Sequence, residues 1–151
     1  MYIIYMENKK GWLLVKLLML FTVILGFIYL ISPGLQKSIY ELRDTTTKTN
    51  LYQIRAAVLT YYKDYHRWPR DLNAVVPKYL EKIPKEYLSS IRGSDKVFNA
   101  HNENEFSSMR KPGGEGWIYG AYEAKGGEQF AHEVYPMSTT LSGKSGDTLS
   151  W

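Results

Sequence analysis

Five oxygen-bearing side chains lie close together at Asn99, Asn102, Glu103, Asn104 and Glu105. Hard oxygen donors of this kind suit calcium in type, but they lack the fixed spacing of a calcium loop. A solvated loop is the expected use, and no cofactor is expected. His66, His101 and His132 stand far apart in the chain, without metal-ligand spacing. Cysteine is absent, which excludes a thiol nucleophile, a thiolate metal site and a disulfide framework. Glu115, Glu123, Glu128 and Glu133 are the carboxylates available for paired acid–base work. They fall on an expected hairpin, where a solvated face is their commoner use. Gly113-Gly114-Glu115-Gly116 lacks the lysine and the following helix of a phosphate loop. No nucleophile elbow is present. Thirteen tyrosines suggest a carbohydrate-binding surface, yet several belong to a buried stripe. The residue types point away from an enzyme.

The elements that position these residues begin with a junction. Lys9-Lys10-Gly11 runs directly into an apolar stretch, Trp12 to Ile31, which ends at Ser32-Pro33-Gly34. A helix of about 20 residues spans about 30 Å, the hydrocarbon thickness of a bilayer. Lys16 is the one charge inside it, about one turn from the N-terminal edge, so its stem can carry the amine to the headgroups. The basic residues Lys9, Lys10 and Lys16 favour a cytoplasmic N-terminus and an exported C-terminal domain. A secretory signal peptide is the competing reading. Against it stand the length of the apolar run and the lack of a small-residue cleavage site after Ile31. An uncleaved signal anchor competes as well.

The chain has 151 residues and a formal net charge of +4, with a pI near 9.1. About 115 to 120 residues follow Pro33, enough for one small core. Part of the positive charge sits in the membrane-proximal N-terminus, and no Lys/Arg block carries interleaved aromatics, so no nucleic acid is expected as a partner.

Beyond the apolar stretch, Leu35, Ile39, Leu42, Leu51, Ile54, Val58, Tyr61 or Tyr62, and Tyr65 recur at helical spacing, the rhythm of one buried stripe. Gln53, Arg55, Thr60 and Lys63 fall mostly off it. Pro33 with Gly34 should kink the helix, and Thr45-Thr46-Thr47 marks a section that frays or bends. The helix should stop before His66, because Trp68 precedes Pro69. Asp71 is placed to cap a short helix from about Leu72 to Val76. Val97-Phe98 starts a short strand. Trp117 to Tyr122 and Phe130 to Tyr135 read as the two strands of a hairpin around a turn at Lys125-Gly126-Gly127-Glu128. Ser89 to Lys96, Met109 to Gly116 and Ser138 to Ser150 read as loop or surface.

Lys9-Lys10-Gly11-Trp12, Pro33, and the run Tyr61-Tyr62-Lys63-Asp64, Trp68-Pro69, Pro77-Lys78-Tyr79-Leu80, Ile83-Pro84 together resemble type IV pilin-like proteins, and among them the major-type pseudopilins of type II secretion. The likeness extends from Lys9 to about Tyr135. It implies a leader that ends at Gly11, cleavage of Gly11–Trp12 by a prepilin peptidase, and methylation of the Trp12 amine. Met6 offers a second start that would give a short leader. Pro33 occupies the family's proline position in the assembly helix. Lys16 occupies the position of a family glutamate thought to pair with a neighbour's N-terminal amine, a role a lysine cannot take. Trp12 stands where the family usually has phenylalanine. The Asp-Pro-Trp-Gly segment near which many of these pseudopilins bind calcium is missing after Pro84.

The resemblance implies an α+β, pilin-like fold. A long N-terminal helix, transmembrane in its first half, packs on a small antiparallel β-sheet. The expected organisation is a basic leader (1–11), a transmembrane helix half (12–33), an exported amphipathic helix half (34–66), and a connector with the small sheet (67–151). The implied partners are copies of this chain, other pilin-like subunits, the prepilin peptidase, the membrane and an inner-membrane assembly platform. The chain would be a single-pass inner-membrane protein with a periplasmic or otherwise extracytoplasmic head, and a filament component after assembly. The alternative is an uncleaved single-pass anchor carrying an extracytoplasmic binding or sensor domain. An anchored hydrolase would need clustered polar residues in a cleft of the head.

Overall fold

No proline interrupts the chain between Pro33 and Pro69, and the apolar residues of that interval keep helical spacing. In the computed structural model, which describes residues 2–142 and 147–151, they form one helix, α1 (Tyr2–Tyr65). Its C-terminus falls where the Trp68-Pro69 pair requires it. There His66 takes φ 52° and donates its N–H to the Tyr62 carbonyl at 2.8 Å. A 3₁₀ turn (Leu72–Val75) follows, then β1 (Val97–Ala100), α2 (Glu103–Met109), β2 (Trp117–Gly120), β3 (Val134–Pro136) and a second 3₁₀ turn (Thr148–Ser150). As expected, Asp71 caps the first 3₁₀ turn, accepting from the Asn73 N–H at 2.7 Å.

Two compact units divide the chain, Met1–Ile39 and Tyr40–Trp151. In the first, α1 is long and apolar enough to cross a membrane. In the second, α1 contributes Leu51, Ile54, Ala57 and Val58 to a core shared with Leu72, Val75, Ile83, Trp117, Tyr119 and Val134. The expected stripe is therefore buried from Leu51 to Val58. It fails at both ends: Leu35, Ile39 and Leu42 are exposed before it and Tyr65 after it. The Arg43 guanidinium ties the helix to the head, donating to the Tyr87 and Leu88 carbonyls at 2.7 and 2.9 Å.

The threonine run does not fray. Thr47 is fully buried and its hydroxyl accepts from the Tyr87 N–H at 2.9 Å. Thr45 and Thr49 bond back to carbonyls one turn earlier. A tertiary hydrogen bond outweighs the small intrinsic penalty of β-branched residues. Arg55 also departs from expectation, since it turns inward. Its guanidinium donates to the Val134 carbonyl at 3.0 and 3.2 Å and to the Trp151 carbonyl at 2.7 Å, and it lies 4.6 Å from the Tyr135 ring centre. The pairing fastens β3 to the helix.

The sheet is mixed rather than antiparallel, in the order β1-β2-β3. β1 runs parallel to β2, from Val97 opposite Trp117 to Ala100 opposite Gly120. β3 is antiparallel to β2, with Ile118 opposite Tyr135. A parallel pair needs a crossover, and α2 supplies it. Asn102 caps α2, and Phe106, fully buried, joins Ala100, Ile118, Tyr122 and Met137 in a second apolar cluster. β2 is thus covered on both faces, Trp117 and Tyr119 toward the α1 core and Ile118 toward α2. The expected hairpin is antiparallel as read, but its return strand is only Val134–Pro136. Phe130 to Glu133 stays outside it, with His132 at φ 58°.

Candidate functional site

In the first unit, the residues singled out for assembly all lie on α1. Trp12 is 63% exposed, and the Lys16 ammonium stands 5.6 Å from the centre of its ring. Helical side chains lean toward the N-terminus, so the lysine stem points toward Trp12 and the N-terminal end of the apolar stretch. Every large apolar side chain from Trp12 to Ile31 is exposed. A Cβ added at Gly11, Gly26 or Gly34 would meet nothing within 4 Å. Pro33 lies inside α1, which is continuous through it. Its ring leaves the Tyr29 carbonyl without a helical donor. Two shallow grooves run along this helix, one past Leu25, Tyr29 and Pro33, the other past Ile24, Phe27, Ile31 and Ile39.

The chemistry-bearing residues of the head are drawn into structural work. Asn102 accepts from the Glu105 N–H at 2.8 Å, and the Glu105 carboxylate accepts from the His101 N–H at 2.7 Å. Together they close the first turn of α2 much as a capping box does. Asn99 accepts from the Leu72 N–H at 3.4 Å. The oxygen-rich segment is therefore a strand end and a capped helix, not the solvated loop expected of it. Among the described residues no group of three or more His, Asp or Glu is placed to hold a metal. Glu128 accepts from the Lys125 N–H at 3.1 Å, Glu133 faces Arg55 at 3.8 Å, and Glu123 faces the His132 ring at 3.4 Å. Glu115, like Glu123 and Glu133, is exposed.

The connector is tied to α1 and β2 by polar bonds. The Trp117 indole donates to the Pro84 carbonyl and the Tyr119 hydroxyl to the Pro69 carbonyl, each at 2.7 Å. Lys78 and the Tyr79 hydroxyl both donate to Asp64, at 2.8 and 2.6 Å, and hold its carboxyl below the ordinary range. Burial pushes the Tyr119 hydroxyl well above its ordinary value, and that of Tyr122 up to about 12.

One charged residue escaped sequence reasoning altogether. Glu86 is fully buried. Its carboxylate accepts from the N–H groups of Leu88, Ser89 and Gly116 and from the Ser89 hydroxyl. Its backbone pairs with Ser94 in both directions at 2.8 Å. Burial nonetheless pushes its carboxyl above the ordinary value. No periodicity in Lys85-Glu86-Tyr87 marks it as internal. The chain matches no family model, no curated protein and no solved structure with which it was compared.

Proposed function

We propose that this chain is a structural subunit of a membrane-anchored type IV pilus-like filament, most akin to a type II secretion pseudopilin. It assembles by packing α1 against α1 of neighbouring subunits. The exposed apolar surface of α1 carries this reading. Lipid can cover about 20 residues of it, Trp12 to Ile31. Tyr52 and Leu59, 52% and 47% exposed, lie on turns well beyond that span, and partner helices are the natural cover for them. Open space at Gly26 and Gly34 lets helix backbones approach closely.

In this reading Gly11–Trp12 is the bond cut by a prepilin peptidase, and the freed Trp12 amine is methylated. The implied partners are copies of the chain, other pilin-like subunits and an inner-membrane assembly platform. Lys16 repels a neighbouring amine, so subunit contact rests on packing rather than on an intramembrane ion pair. Lys16 is also the observation that favours the second reading, an uncleaved single-pass anchor with an extracytoplasmic binding or sensor head.

The natural lack of cysteine makes the test simple, since Leu59→Cys introduces a unique thiol. In cells carrying the assembly machinery, a short bifunctional thiol reagent should yield a ladder of multimers from Leu59→Cys. Glu115→Cys, exposed on the head loop, should remain monomeric. Monomer alone from both variants would count against assembly through α1.

A further inference from the structure

A cleft of about 720 Å³ opens where α1 ends, lined by Tyr61, Tyr62, Arg67, Trp68, Arg70 and Asp71 among others. Its aromatic wall is held on both sides. The Trp68 ring stacks on Tyr62 at a centroid distance of 4.3 Å and on His132 at 4.9 Å, with interplanar angles of 23° and 10°. His132 is held in turn by the Tyr119 hydroxyl, 3.2 Å from Nδ1, while its buried Nε2 lies 3.4 Å from Glu123 without a hydrogen bond. Among the described residues only two non-glycine residues have positive φ, His66 and His132. His66 lines the cleft and His132 backs its wall. Such backbone is uncommon outside glycine and gathers where side chains are held for binding.

The charges there are unevenly committed. Asp71 caps the 3₁₀ turn and Asp64 is tied to Lys78 and Tyr79, while Glu123, exposed at the cleft, lies beside His132 without a hydrogen bond. Arg67 and Arg70 are exposed and, among the described residues, take part in no hydrogen bond or ion pair. A cation just past a helix C-terminus answers the macrodipole, and that accounts for Arg67. The effect falls off within a turn and does not reach Arg70, five residues beyond Tyr65.

We propose that this cleft binds an anionic sugar unit, a uronate of an acidic polysaccharide. The two free guanidiniums suit bidentate capture of a carboxylate, and the phenol hydroxyls and the Asp71 carboxylate suit the sugar hydroxyls. Ala74 is the only aliphatic side chain in the lining, so a peptide would find no apolar anchor. Both faces of Trp68 are occupied, so it offers no platform for a nucleic-acid base. This site is independent of the filament reading and would serve an anchored binding head equally well.

Titration calorimetry of the full chain in detergent micelles decides it, with trigalacturonate, a neutral galactose trisaccharide and triglutamate as probes. The expected result is saturable binding of trigalacturonate, with at least about tenfold weaker binding of both other probes and of trigalacturonate to the Arg67→Ala/Arg70→Ala variant. Absence of binding up to about 10 mM trigalacturonate would overturn the proposal. So would equal binding of triglutamate, which would reassign the cleft to acidic peptides, or unaltered affinity in the double variant. Should the double variant not fold, the three probes on the unmodified chain still decide.

Discussion

Gly120→Ala should destabilise the head by about 3 kcal/mol, the upper part of the range for forcing extra atoms into a packed site. Gly120 ends β2, where the chain folds tightly back on itself. Its N–H donates to the Glu133 carbonyl at 2.9 Å and its carbonyl accepts from the His132 N–H at 2.7 Å. A Cβ there would fall on the Phe130 carbonyl oxygen and lie 3.1 Å from the Tyr122 ring. The first obstacle is backbone, which no side-chain rotation relieves. A domain of this size is stable by about 5–15 kcal/mol, so the loss is a large share of the whole. Denaturant unfolding followed by tryptophan fluorescence measures it. Gly26→Ala, in open space on α1, should leave the head's midpoint unchanged.

Glu86→Ala should cost a similar amount, about 3 kcal/mol, by a different route. It leaves the N–H groups of Leu88, Ser89 and Gly116 buried or half-buried without an acceptor. Glu86→Gln keeps one acceptor oxygen but turns an amide donor toward one of these donors, and should cost about 1–2 kcal/mol. The pH dependence follows from the direction of the shift. Burial raises the folded-state value above the ordinary 4.5, so the folded chain binds the proton more tightly than the unfolded chain. This contribution is fully present below the unfolded value and is lost as pH rises through the folded one. Between those two values the head should lose some stability with rising pH, and Glu86→Gln should remove that slope. Denaturation midpoints across mildly acidic pH measure it. A slope unchanged in Glu86→Gln would assign the effect to another group.

What the sequence disclosed was local. The Leu51, Ile54, Val58 stripe, the helix end at Tyr65 and the Asp71 cap all depend on neighbours within a few turns, and each stands where the residues placed it. The parallel pairing of β1 with β2 was hidden because α2 carries one buried apolar residue, Phe106, in seven, too few to show a helical period. Arg55 and Glu86 were hidden because a charged residue reads as solvated until its partners are known. Those partners are backbone groups far along the chain, such as Val134 for Arg55 and Gly116 for Glu86. The exposure of Leu35 and Leu42 was hidden for a related reason. Helical spacing shows that a face is apolar, not what covers it.

Trp12, Lys16 and Pro33 were legible as positions on one helix, and α1 carries them; it also runs back through Gly11 to Tyr2, where a separate leader was expected. Whether Gly11–Trp12 is cut depends on a second protein. The most direct test is the intact mass and N-terminal sequence of the membrane-extracted chain, produced in cells with a prepilin peptidase. A filament subunit should begin at Trp12 and carry one added methyl group on its amine. A chain that retains its leader through Gly11 would contradict that account and leave the anchored head in its place.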